Sequence, residues 1–200
     1  AHVLAALALY EDWSVWQNAV ANPHLPESVA YYLIEHSAEY SGDRMAALLN
    51  NYQLPSELVE AIYNPNSPNT QYFTAMAAHP NTPAYILDII AHTDMGWTVG
   101  SNPNAWDETL LDLVGDGTNE SAMNSVSLNS NLSEAVQMHI VNVYRAANFS
   151  DTSPHYVSQM FWSHPSEAGV SEAVQMFAAD SPEVSTRSLV ATYSLTPAVL

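Results

Sequence analysis

The chain has 200 residues, 48% of them hydrophobic and 10% aromatic, enough to bury a sizeable core in one domain or two small ones. It contains no cysteine, which excludes a disulfide framework and a thiolate metal site. Its 21 Asp and Glu face only three Arg and no Lys, so the net charge of -18 comes from missing bases at ordinary acid content, and this excludes phosphate-led nucleic-acid binding and a basic membrane-surface helix.

Taken in chain order, AHVLAALALY reads as a helix: it has no basic n-region and runs directly into Glu11-Asp12-Trp13. No apolar run reaches the eighteen or so residues that span a bilayer. A helix carrying Val15, Ala19 and Val20 then meets a corner at Asn22-Pro23, and a new helix starts at Pro26-Glu27 with Val29, Leu33 and Ile34 at helical spacing. The same order follows with Met45, Leu48 and Leu49 before Asn51-Tyr52, and again at His79-Pro80 before Ile86, Ile89 and Ile90. It continues at Asn102-Pro103 before Leu110, Leu111 and Leu113, then at Asn129-Ser130, His164-Pro165 and Thr192-Tyr193. Successive corners lie 23 to 35 residues apart, centred near 28, and the variation falls in loop-like NPNSPNT, GDGTNES and RAANFSDTSPH.

Each corner has a physical logic. Pro lacks an amide hydrogen and fixes φ, so Asn-Pro ends a helix, while a Pro at the first position of the next helix loses nothing. Glu27, Glu108, Glu134 and Glu172 fall in first helical turns, where a carboxylate offsets the positive end of the helix dipole. Asn and His at the anchor position can both donate to and accept from helix-end backbone groups. One apolar stripe per helix, with two helices per unit, cannot close a core alone, so neighbouring units must stack.

The stretches VANPHLPESV, MAAHPNTPAYIL and VGSNPNAWDETLL resemble the leucine-rich repeat variant family, whose unit is similar to V-A-x-N-P-x-T-P-x-x-V-L. The resemblance spans essentially the whole chain and is specific at the corner. It implies an α-solenoid related in shape to HEAT arrays, each unit an α-helix with a short second helix, often 3₁₀. The spacing here is longer than the family's, so the second element is expected to be a full α-helix. The family's early Arg is matched only by Arg187, and its cysteine-ligated iron-sulfur association does not carry over to a chain without cysteine. The resulting expectation is an all-α, right-handed α-solenoid of about seven stacked helical-hairpin repeats of roughly 28 residues. It would form a single repeat domain over 1–200, part of a longer array.

A search for chemistry returns little. None of the eight histidines pairs at His-x-x-x-His spacing. His36 and His92 recur near the ends of second helices, where a cation-capable ring suits the negative end of the dipole. GDGTNE offers too few oxygens for calcium and reads as a turn. No Gly-x-Ser-x-Gly elbow or Gly-rich phosphate cradle is present. No catalytic residue, metal or cofactor is expected, and the chain is not expected to be an enzyme.

Two surface features remain. Acidic residues unexplained by helix starts, Glu35, Glu39, Asp43, Asp88, Asp94, Asp112, Asp116 and Glu120, would form a ridge if the units stack. The near absence of bases makes its field one-sided, attractive to a basic partner. Most aromatic rings are expected in the core between units, with the rest as interface anchors. The sequence therefore predicts a non-enzymatic scaffold for protein partners, with no direct contact to nucleic acid or membrane. The alternatives are a structural protein assembling head to tail and an acidic decoy for a basic, nucleic-acid-binding protein. The corner residues Asn22, Pro23, Asn51, His79, Pro80, Asn102, Pro103, Asn129, His164 and Pro165 are read as structural.

Overall fold

The structure, a computed structural model, describes residues 2–36, 42–63, 72–146, 160, 170–180 and 184–193. Among these the fold is all-α, with no strand. The chain divides into an amino-terminal unit, Ala1–Ile90, and a carboxy-terminal unit, Ala91–Leu200.

The amino-terminal unit holds α1 (His2–Leu7), α2 (Trp13–Val20), α3 (Glu27–Glu35), α4 (Gly42–Leu48), α5 (Ser56–Ile62), α6 (Phe73–Ala78) and nearly all of α7 (Ala84–Ala91). Helices before a corner pack on one another, α2 on α4, and helices after a corner do the same, α3 on α5. The apolar positions at helical spacing supply the core: Val20, Leu33, Leu48, Leu49, Leu58, Val59, Met76, Ile86, Leu87 and Ile90 are buried. Each such aliphatic side chain contributes about 1.5–3 kcal/mol of transfer free energy, which offsets the ordering of short helices that would not form alone. Ile89, expected in the apolar stripe, instead faces solvent.

Helix starts follow the chemistry of each local segment. The Asp12 carboxylate accepts from the backbone N–H of Ser14 and Val15 and caps α2. Pro26 and Pro55 occupy the N-cap itself, one residue earlier than expected, with extended backbone (φ -61° and -66°). There the Pro carbonyl takes the first helical bonds, as Pro26 O does from Val29 N and Ala30 N, so the missing amide is not needed.

The carboxy-terminal unit contains a 3₁₀ turn (Gly96–Val99), then α8 (Asp107–Val114), α9 (Glu120–Ser127), α10 (Glu134–Ala146), α11 (Glu172–Ala179) and α12 (Val184–Tyr193). Its core joins Leu110, Val114, Met123, Val126, Val136, Ile140, Val141, Met160, Val174 and Val190. The 3₁₀ turn packs on α9, α8 on α10, and α10 on α11. It falls in the shortest interval between anchors, the 23 residues from His79 to Asn102, where about a turn of helix is missing. The short element is thus the one before the corner, whereas the described helices after each corner are α. Gly100 lets this turn approach closely: a Cβ there would stand 2.7 Å from Val126 N and 2.9 Å from the Ser125 Cβ.

Aromatic rings are distributed against expectation. Trp16 is the one fully buried tryptophan among the described residues, while Trp13, Trp97 and Trp106 are 42%, 45% and 48% exposed. Tyr31, Tyr32, Tyr52 and Tyr85 are exposed too. Short helices packed closely leave aliphatic and alanine-sized gaps, and Ala19, Ala30, Ala47 and Ala77 fill them.

Candidate functional site

Two constructions stand out: a hydrogen-bond relay through the corners, and a groove in the amino-terminal unit. In the relay, each anchor side chain bonds in two directions. Forward, its acceptor atom takes the backbone N–H two residues on: Asn22 Oδ1 from His24 (2.9 Å), Asn51 Oδ1 from Gln53 (3.2 Å), His79 Nδ1 from Asn81 (3.1 Å). Asn102 and Asn129 repeat the bond with Asn104 (2.9 Å) and Asn131 (2.8 Å). These bonds close a turn at the residue pair that follows each anchor.

Backward, the donor reaches the previous corner. Asn51 Nδ2 donates to Asn22 O (3.0 Å), and His79 Nε2 to Asn51 O (3.1 Å). In the other unit Asn129 Nδ2 donates to both Asn102 O (2.7 Å) and Gly100 O (2.9 Å). A second line runs beside it, from Asn81 Nδ2 to Leu54 O (2.8 Å) and from Asn131 Nδ2 to Pro103 O (3.0 Å). Asn51, His79, Asn102 and Asn129 are all buried, and the bonds to Asn51 O, Gly100 O and Asn102 O are buried with them, so these satisfy carbonyls removed from water.

The relay explains why Asn and His share the anchor position. Both offer one acceptor and one donor on opposite sides of a flat group, and His79 achieves this only as the neutral tautomer with hydrogen on Nε2. Burial pushes the His79 pKa below the usual 6.5, against a smaller upward push from its bond to Asn51 O. The Tyr52 ring meets the imidazole edge-on at 5.8 Å. The position after the anchor tolerates Tyr52 and Ser130 because the relay makes no use of that residue's amide. Pro23 is exposed, and Pro80 and Pro103 are half-buried. His164 and Pro165 lie outside the described residues. Thr192 sits inside α12, exposed, with its hydroxyl on Ser188 O (2.8 Å), and forms no corner of this kind.

Sequence reasoning missed two glutamines. Gln137 Nε2 donates to Leu132 O (3.0 Å) while its Oε1 accepts from Ser171 N (2.8 Å); Gln175 Nε2 repeats the first bond on Val170 O (2.8 Å). The signal was there, since SEAVQM occurs at both 133–138 and 171–176.

The groove runs across the helices that precede corners. It has a volume of about 500 Å³ and is lined by Trp13 and Gln17 of α2, by Ala46, Ala47 and Asn50 of α4 and the turn after it, and by Thr74, Ala75 and Ala78 of α6. Four alanines give it a shallow apolar floor, and Trp13 forms a wall. Trp13 stacks on buried Trp16 at 5.7 Å between centroids and 17° between planes, which fixes its orientation. The Arg44 guanidinium lies 5.2 Å from the Trp16 ring centroid, a cation–π contact. The side chains of Gln17, Asn50 and Thr74 are exposed and make no hydrogen bond to another described residue.

The acidic positions fall in both units. Glu35 ends α3 and is exposed; Asp88 is half-exposed on α7. In the other unit Asp94, Asp112, Asp116 and Glu120 are exposed. Asp116 is used locally, accepting from the Thr118 hydroxyl (2.8 Å) and amide (3.1 Å), bonds that hold its carboxyl below the usual range. The following Asn119 caps α9 through Ala122 N (3.1 Å). Glu39 lies outside the described residues, as does the side chain of Asp43. Among the described residues no three of His, Asp and Glu are placed to share a metal ion, and none of the helices is long and apolar enough to cross a membrane. His36 bonds backward along its own helix, from Nδ1 to Tyr32 O (2.8 Å), and stacks on the Tyr32 ring.

No family model, no curated protein and no solved structure matches this chain.

Proposed function

We propose that the protein is a non-enzymatic interaction scaffold, a right-handed α-solenoid of about seven helical-hairpin repeats of the leucine-rich repeat variant type, presenting an acidic surface to protein partners. The observation that carries the reading is the backward bond from one buried anchor to the carbonyl of the corner before it, at an interval of 28 or 29 residues in the amino-terminal unit. A corner that bonds only to itself is a turn; a corner that bonds to its predecessor is a stacking rule. Stacked hairpins leave the outer faces of their helices open for binding. Exposed Trp13, Trp97 and Trp106 in a chain with three Arg and no Lys supply anchors in a one-signed field.

The test is purification of the native, full-length protein from its own source at low and at moderate salt. A different protein recovered in stoichiometric amount, and released as salt rises, is the expected result. Recovery of the protein alone, in large or filamentous particles, would replace this reading with head-to-tail assembly.

A further inference from the structure

We propose that the groove across α2, α4 and α6 is a docking site for an extended basic peptide segment, one that lays an Arg or Lys side chain on the Trp13 ring. The proposal rests on the scaffold reading above and names the partner class of one surface.

Each part of the groove favours this occupant. The alanine floor of Ala46, Ala47, Ala75 and Ala78 lets a main chain come close to three helices at once. The free amides of Gln17 and Asn50 and the hydroxyl of Thr74 can pair with the peptide groups of a chain that carries no secondary structure of its own. Trp13 is exposed, yet held by its stack on Trp16, so little side-chain entropy is lost when a partner covers it. The fold already uses the proposed chemistry one ring away, where Arg44 lies over Trp16. Glu11 and Asp12, both exposed, directly precede Trp13 in the chain and add to the negative field.

Other occupants fit less well. An acidic peptide or a nucleic acid meets the field of a chain with net charge -18. A second copy of this chain brings no Lys and only three Arg. An amphipathic helix seeks a deep apolar trough, and this groove is shallow, with Gln17, Asn50 and Thr74 on its lining.

The test uses a labelled nonapeptide of alternating Arg and Ala, with a Gln-Ala peptide of the same length as control, and reads fluorescence anisotropy of the full chain at about 150 mM salt, near physiological. The Arg peptide should bind and the Gln peptide should not. Trp13→Ala should weaken binding about tenfold, as expected for a partly desolvated cation–π contact, and Tyr31→Ala, at an exposed ring outside the groove, should leave it unchanged. Because Trp13 also covers Trp16, a second variant is made at the exposed position Ala78, where Ala78→Arg fills the groove with its own cation and should weaken binding as much. Binding of equal strength in all four proteins would show diffuse attraction to an acidic chain and overturn the proposal, as would no binding to the unsubstituted protein. Either result leaves the scaffold reading to be decided by the co-purification above, so the two fail separately.

Discussion

The two units solve one problem with different side chains. In the amino-terminal unit the last described rung is His79, which has one N–H to give and gives it to Asn51 O. In the carboxy-terminal unit the corresponding rung is Asn129, whose amide gives two, to Gly100 O and Asn102 O. The corners that receive the bonds also differ: α4 and the turn after it lead to Asn51, whereas a 3₁₀ turn leads to Asn102, where Gly100 O takes the second N–H. An imidazole with one N–H serves one carbonyl, whereas an amide can serve two.

That comparison can be broken most sharply at Asn129. Asn129→Ala removes two donated bonds and one accepted bond in a buried site and should cost about 2–4 kcal/mol, read by denaturant unfolding. Asn129→His should recover only part of this, because a neutral ring accepting from Asn131 N has a single N–H and strands one carbonyl. Exchanging the residues the other way, His79→Asn, should be nearly neutral at pH 8. If the two exchanges cost the same, the account of why the units differ is wrong.

Close behind comes Gly100→Ala. A methyl 2.7 Å from Val126 N must push the 3₁₀ turn off α9, at a cost of about 1–3 kcal/mol. Hydrogen exchange should show the loss of protection concentrated in α9.

The rungs also differ in their response to pH. Because the folded-state pKa of His79 lies below 6.5, the unfolded chain binds the proton more readily, and protonation favours unfolding. The contribution of His79 is fully present above about 6.5 and is lost as pH falls from there toward its folded value. Protection of α5 and α6 should decline over that range and become flat in His79→Asn. The Asn129 amide does not titrate, so its rung is unaffected in the same experiment. The capping carboxylate of Asp12 acts lower: its pKa is held below 3.8, mainly by the Ser14 hydroxyl, so its contribution is present above 3.8 and is lost only below it.

The smallest expected effect is at the surface of the amino-terminal unit. Tyr85 donates to Glu60 Oε1 at 2.6 Å, and this bond raises the phenol pKa to about 12. Both groups are exposed, so Tyr85→Phe should cost no more than about 0.5 kcal/mol. An ultraviolet titration should lose one late-ionising tyrosine.

Much of the local structure was open to reading from the sequence because its causes sit within a few residues of one another. The Asn-Pro corner, the acidic first turn at Glu27, Glu108, Glu134 and Glu172, and the helical spacing of Leu33, Leu58 and Ile86 are all short-range chemistry. The anchors could be seen as hydrogen-bonding residues, but not whom they bond, since that partner lies 27 to 29 residues away. The aromatic rings were misjudged for a related reason. Periodicity says which face a ring lies on, while the closeness of helix stacking decides whether that face has room for it, and in the amino-terminal unit buried alanines fill the gaps while Trp13 lies outward.

By itself, then, the sequence determined the all-α class, the five corners from Asn22 to Asn129 and the starts of the helices that follow them, because backbone caps and dipoles act within a single turn of chain. The tertiary structure alone decided which carbonyl each anchor satisfies, that one short interval closes as a 3₁₀ turn against α9, and that three separate helices share a groove beside Trp13. These depend on the offset at which one helix packs on the next, a distance set by the sizes of side chains meeting from different parts of the chain.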